Sequence, residues 1–505
     1  MTFADHLPIL PVAIPALAAP AILLLIRRKP RLGVGIAFAS CLALLGCALA
    51  LLGQVRSGEI FAYALGEWSA PFGIVVVADR LAAMMLVLTA SLALIVLLHA
   101  VITGSDRRGW HFHTLFQFQL MGLNGAFLTG DLFNLFVFFE VLLIASYGLM
   151  LHGQGPARLK AGVQYVVVNL VGSSLFLIAL GMLYALTGTL NMADMGLRVT
   201  EIAPADQGLL RIAGLLLVSV FALKAAVAPL HLWLVRTYAV ATPAVAALFA
   251  IMTKVGVYSL IRVVPQIFGD GAGAAAWVPA PYLLPAAMIS AVLGFAGVFV
   301  ARNMAEQAAY AVIGSTGTLL IAVAGWSADS LGAGLYYLAH STLAAAALFF
   351  VADVTARRRG TYGDNAVAGP AFAGRGGVAL LFMAAAIAAT GLPPLSGFIG
   401  KLLILNSVAE LQNWGWAWGV ILGTTFIGVV GFARVGSAVF WNSADCDLPA
   451  VPATRADFAA PIIALTLLAL LSIGAGWVSA YTNAAALQVL NPAQSARAVL
   501  MKGAR

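Results

Sequence analysis

Charge is scarce in this 505-residue chain: Asp, Glu, Lys and Arg make up 9% of it, against 62% hydrophobic residues. Soluble domains run nearer a quarter charged. So few charges cannot cover a water-soluble core, which excludes a soluble enzyme and a disordered chain alike. Cysteine is nearly absent. Cys41, Cys47 and Cys446 offer neither a disulfide framework nor metal-ligand spacing, and the first two lie in an apolar run as small core hydrophobes. Glycine-rich phosphate loops, HExxH helices, Ser/His/Asp signatures and CxxC pairs are missing, so neither a metal nor a cofactor is expected. The N-terminus has no basic segment followed by a small-residue cleavage site, and its first apolar run reads as a retained span. The net charge of +8 would suggest nucleic acid in a soluble chain. In this one it reflects arginines anchoring loops at a bilayer surface, and no nucleic-acid partner is expected.

Long apolar runs are what the chain has instead. A membrane helix needs roughly 20 mainly apolar residues to cross ~30 Å of hydrocarbon. On that rule fourteen spans are predicted, beginning near Leu7, Leu32, Asp79, Phe112, Leu132, Ala161, Leu209, Pro243, Pro281, Ala308, Leu331, Gly376, Gly415 and Phe458. The breaks between them are short and rich in Gly, Pro and charge. The whole of 1–505 therefore reads as one all-α, polytopic membrane domain. Alternate connections carry fifteen basic residues on one side and eight on the other. That asymmetry puts the richer side in the cytoplasm and both termini outside. Arg262 is counted with the poorer side; Arg434 falls inside a span and is left out.

Charges within the spans are the informative residues, because each costs ~2.5–3.5 kcal/mol at mid-membrane. Glu140 lies nine residues after Asp131 and twelve before His152, too deep for a short side chain to reach the interface. Lys224 is thirteen residues from Arg211 and twelve from Arg236, the most central lysine in the chain. Pro229 follows it and breaks the helix, freeing carbonyls that solvate a cation or water. Lys254 is only eight residues from Arg262, so snorkelling to the interface is an alternative for it. His340 reads either as a hydrogen-bonded core residue or as a proton relay, given its near-neutral intrinsic pKa. Lys401 follows a second break, at Pro393 and Pro394. One lysine precedes its proline and the other follows, the reversal an inverted repeat would give. Apart from Glu140, no intramembrane carboxylate is expected. Unpaired, these five groups would oppose folding, so they are predicted to converge on a hydrated axis. Whether Glu140 pairs with Lys224 or with a residue of a partner stays open; a Glu140–Lys224 pair that formed and broke would swing the lysine's proton affinity.

Around these residues the sequence resembles a known family. The segments HFHTLFQFQLMGLNGAFLTGDLFNLFVFFEVLLIASYGLM (111–150), YVVVNLVGSSLFLIALGMLYALTGTLNMADM (165–195) and FALKAAVAPLHLWL with ATPAVAALFAIMTKVGVYSLIR (within 221–262) are similar to the D-type subunit of the Mrp (Pha) multisubunit cation/proton antiporters. The wider superfamily includes antiporter-like subunits of respiratory complex I and of membrane-bound hydrogenases. The resemblance runs from about Leu65 to Trp441. It implies fourteen helices with two inverted five-helix repeats, about 111–263 and about 281–442, flanked by helices 1–3 and 14. It places Glu140 on the family's fifth-helix glutamate, Lys224 on its seventh-helix lysine and Lys254 on its eighth-helix lysine. His340 falls on the eleventh-helix histidine and Lys401 on the twelfth-helix lysine. In the family this row carries protons along the membrane plane.

The resemblance also implies a secondary transporter component, not an enzyme, exchanging Na⁺ or K⁺ for protons beside subunits of the A and C types and smaller ones. Two stretches depart from the family pattern. Arg236 in PLHLWLVRTYA stands where a proline–acid pair is usual, and Glu306 in MAEQAAY lies near the place of a basic pair. Two other readings stay open at this point. One is a proton-pumping subunit of a redox complex of the complex I or hydrogenase type; the other is a scaffold whose charges are structural ion pairs.

Overall fold

The computed structural model describes residues 6–25, 28–409, 414–442 and 454–500; Cys446 lies outside them. The first helices are α1 (Leu10–Leu25), α2 (Pro30–Val55), α3 (Arg80–Thr103), α4 (Phe112–Leu128), α5 (Leu132–Met150) and α6 (Pro156–Thr187). Then follow α7 (Met192–Arg198), α8 (Gln207–Lys224), α9 (Leu232–Val240), α10 (Pro243–Phe249), α11 (Met252–Ile267), α12 (Ala280–Val300), α13 (Met304–Val323) and α14 (Ala328–Arg358). The last are α15 (Arg375–Thr390), α16 (Ser396–Val408), α17 (Trp414–Gly436), α18 (Ala459–Ile473), α19 (Ala475–Val489) and α20 (Pro492–Leu500). Among the described residues, 10 helical segments are long and apolar enough to cross a membrane. The protein is a helical membrane protein. Every predicted span start falls in one of these helices or within three residues of it, but several predicted spans are shorter or broken. The chain is also not wholly helical: between α2 and α3, β1 (Phe61–Ala64) and β2 (Val75–Ala78) pair antiparallel.

Local chemistry explains the ends. Asp79 and Asp131 cap α3 and α5 by accepting from Ala82 N and Asn134 N at 2.9 and 2.8 Å. Asn303 caps α13 through Glu306 N at 2.7 Å, and Glu306 reaches back to Arg302 N at 3.0 Å. Glu306, one of the two departures from the family pattern, thus does a capping job. Arg236, the other, is exposed on α9. Arg434 on α17 donates to the carbonyls of Phe299 and Ala301, closing the C-terminus of α12.

Two helix pairs are single spans interrupted by proline. α8 stops at Lys224, and seven residues containing Pro229 precede α9. α15 stops at Thr390, where Gly391 adopts φ +76°, and α16 resumes after Pro393 and Pro394. α14 runs through the centre with almost every residue from Ser330 to Thr355 buried, as befits a helix surrounded by others on all sides.

Candidate functional site

The five charged or titratable side chains singled out from sequence sit on α5, α8, α11, α14 and α16. Consecutive contacts run α5–α6–α8–α11–α13–α14–α16–α17. The five therefore occupy one unbroken series of touching helices. Lys224, Lys254, His340 and Lys401 are each at most 6% exposed.

Glu140 and Lys224 do not form a direct ion pair. Each is held by α6 instead. Ser173 Oγ donates to Glu140 Oε1, and Lys224 Nζ donates to Asn169 Oδ1 at 3.2 Å. Residues four apart on a helix lie one above the other, so Asn169 and Ser173 offer the acid and the base adjacent neutral partners. Asn169 is itself fixed, its Nδ2 donating to the Tyr165 carbonyl at 2.9 Å, which turns Oδ1 toward the ammonium. Lys224 Nζ also lies 5.8 Å from the centre of the Phe139 ring. The carbonyls expected to be freed by the Pro229 break do not solvate Lys224. Leu223 O accepts from Ala226 N and from Trp233 Nε1, and Ala228 N donates to Ser290 Oγ.

Lys254 does not snorkel: it is 0% exposed, and its Nζ donates to Thr316 Oγ1 on α13 at 3.1 Å. Its helix closes tightly on the end of α8. A Cβ on Gly256 would lie 2.6 Å from Ala225 N and 2.7 Å from Phe221 O, so only glycine permits that approach. Arg262, the residue that suggested an interface nearby, is only partly exposed and grips Asp79, the N-cap of α3, with two hydrogen bonds of 2.5 and 2.8 Å, with Tyr258 Oη also accepting from it.

His340 Nδ1 shares a 2.9 Å hydrogen bond with Ser396 Oγ, the first residue of α16. Gly397, next to it, faces both His340 and the end of α15; a Cβ there would sit 2.3 Å from Ala388 O and 2.8 Å from His340 Nε2. Lys401 Nζ donates to Thr390 O at 2.8 Å and to Thr425 Oγ1 on α17 at 2.6 Å. Here the break does free a carbonyl for a buried ammonium. None of the three lysines forms a salt bridge with a carboxylate among the described residues.

Sequence reading missed the neutral partners Asn169, Ser173, Thr316, Ser396 and Thr425. Spacing of four between two polar residues in YVVVNLVGSS was the available signal for the first two. It also missed a second buried carboxylate. Asp353, near the end of α14, bonds His99 Nε2 of α3 at 2.9 Å. A row of buried acids and bases joined by hydroxyls and amides can hold and hand on protons, and it offers no cluster of ligands for a metal among the described residues.

The chain is similar to known proteins over nearly its whole length. Residues 129–428 match the family described as "NADH:quinone oxidoreductase/Mrp antiporter, TM". A Rhizobium meliloti protein, named as a probable K(+)/H(+) antiporter subunit of the D type, is 40% identical over 98% of both chains. A Bacillus subtilis protein, named as an Na(+)/H(+) antiporter subunit of the same type, is 34% identical over 98% of this chain and 99% of that one. A chain in the structure of the Mrp complex from Dietzia sp. DQ12-45-1b superposes with a TM-score of 0.88 at 27% identity, covering 99% of this chain and 100% of that one. With the family match spanning more than half of its length, this chain belongs to the NADH:quinone oxidoreductase/Mrp antiporter transmembrane family.

Proposed function

We propose that this chain is the proton-translocating subunit of a multisubunit cation/proton antiporter, moving protons in exchange for Na⁺ or K⁺. The observation that carries the reading is the unbroken series of helices bearing Glu140, Lys224, Lys254, His340 and Lys401, each bonded to a neutral group on a neighbouring element. Glu140 modulates Lys224 across the Ser173 and Asn169 face of α6. Lys254 and His340 relay, and Lys401 exchanges protons at the far end of the row. Pro229, Pro393 and Pro394 interrupt the two spans on which Lys224 and Lys401 sit, and 111–263 and 281–442 are two inverted repeats. Such a transporter needs no redox cofactor and acts as a carrier instead of an enzyme. The names of the relatives favour cation exchange over electron-driven pumping.

The protein works with other subunits, of the A and C types and smaller ones, and its basic-loop side faces the cytoplasm. The test is a pH-dye assay on everted vesicles carrying the whole complex, with Na⁺ and K⁺ added separately to wild type and to Lys224→Ala. The expected result is cation-dependent collapse of a preformed gradient in wild type. In the variant it should be lost although native gels show an assembled complex. A gradient that forms only on adding a reductant, with no cation response, would overturn the antiport reading.

A further inference from the structure

We propose that the connections at the basic-loop end of α1–α6 form a binding site for the phosphate head group of an anionic phospholipid. A cavity of about 740 Å³ opens there between the ends of α1 and α2 and the α3–α4 and α5–α6 connections. Arg31, Arg107 and Arg108 line it, and the side chain of none of the three has a hydrogen-bond or salt-bridge partner among the described residues. All three are exposed and free to meet an anion, and guanidinium is the side chain best matched to phosphate.

The one carboxylate in the lining, Asp106, is 5% exposed and occupied on one oxygen by His113 Nε2 at 3.1 Å. That bond holds the carboxylate back from the arginines, and its other oxygen is buried away from the cavity. Beside the arginines the lining turns apolar, with Ile22 and Val34. The neighbouring surface shows Leu24 and Leu32 at 82% and 48% exposure. Trp110, 70% exposed at the rim, is the residue type that settles at head-group depth. A free phosphate would use only the arginines. A phospholipid uses the arginines and the apolar flank together, and basic pockets between membrane helices are known to select such head groups.

The test uses the whole purified complex, depleted of lipid by detergent exchange and titrated with phosphatidylglycerol in mixed micelles, with bound lipid read by native mass spectrometry and by thermal shift. The variants are Arg107→Gln/Arg108→Gln and, as a charge-matched control away from the cavity, Arg375→Gln/Arg455→Gln. The expected result is an at least tenfold weaker phosphatidylglycerol affinity in the first variant and an unchanged one in the control. Phosphatidylcholine and inorganic phosphate should not shift wild type. Equal weakening in both variants would overturn the site as a general charge effect. A wild-type shift by inorganic phosphate equal to that by the lipid would overturn it in favour of a free anion. Loss of a neighbouring subunit from the first variant would overturn it in favour of a protein contact.

Discussion

Asn169→Leu isolates the α6 link without touching a titratable group. In the wild-type protein Lys224 Nζ has one polar partner, Asn169 Oδ1 at 3.2 Å, in a site 6% exposed. Leucine shares the branched heavy-atom skeleton of asparagine, so the shape is largely kept while the acceptor is lost. A hydrogen bond to a charged group contributes roughly 1.5–3 kcal/mol, and each ~1.4 kcal/mol is a factor of ten in rate. If every transported proton visits Lys224, the protonated state becomes harder to reach by that amount, and cation-driven proton flux should fall about 10- to 100-fold. Everted vesicles with a pH dye measure the flux, and native gels confirm that the complex is assembled. Wild-type flux in an assembled Asn169→Leu complex would refute the idea that α6 couples Glu140 to Lys224.

Other outcomes are expected from the same geometry. Asp79→Asn or Arg262→Gln leaves one buried charge unpaired and should lower stability by about 3–5 kcal/mol each, whereas the double variant should lose less than the sum; denaturation of the purified complex across the cycle measures the coupling. Gly256→Ala drives a Cβ into the backbone of Phe221 and Ala225, and a cost of about 1–3 kcal/mol should appear as a lowered melting temperature. His152, in the turn after α5, has its pKa depressed below 6.5 chiefly by burial. A depressed group gives stability that is complete above the unfolded value and lost as pH falls through the folded one. The complex should therefore lose thermal stability below about pH 6.5, and His152→Gln should flatten that slope while its amide still reaches the Ser105 carbonyl.

The elements that sequence made legible were those where a single physical cost dominates. A charge in hydrocarbon is expensive wherever it stands, so Glu140, Lys224 and Lys401 were visible from spacing alone, and a proline inside an apolar run is as plain a sign of a break. Partner choice was not legible. Ser and Thr are common in membrane helices and bond their own backbone at little cost, so nothing in the letters distinguishes Thr316, which holds Lys254, from Thr318, which turns to its own helix. Lys254 was ambiguous because its distance from Arg262 along the chain does not show which way its side chain turns, which is inward to Thr316. The partner of Glu140 was open in the letters, because a short acid in hydrocarbon can meet a base or a hydroxyl; Ser173 and Asn169 on a third helix hold Glu140 and Lys224 instead.

The threonine hydroxyls beside the lysines have a consequence for how far anything needs to move. Thr316 Oγ1 lies 2.8 Å from Val312 O, and Thr425 Oγ1 lies 2.7 Å from Ile421 O. Each hydroxyl therefore has a backbone carbonyl to donate to while it accepts from an ammonium. When the lysine gives up its proton it becomes an acceptor, and a turn about one C–O bond aims the hydroxyl hydrogen at the amine. Both charge states are then satisfied by the same heavy-atom positions. Lys401 has a second partner, the Thr390 carbonyl, to which a neutral amine can still donate one of its two remaining N–H groups while Thr425 turns toward its lone pair. Both sites are thus two-way rotors, and a proton can come and go there without any helix having to shift.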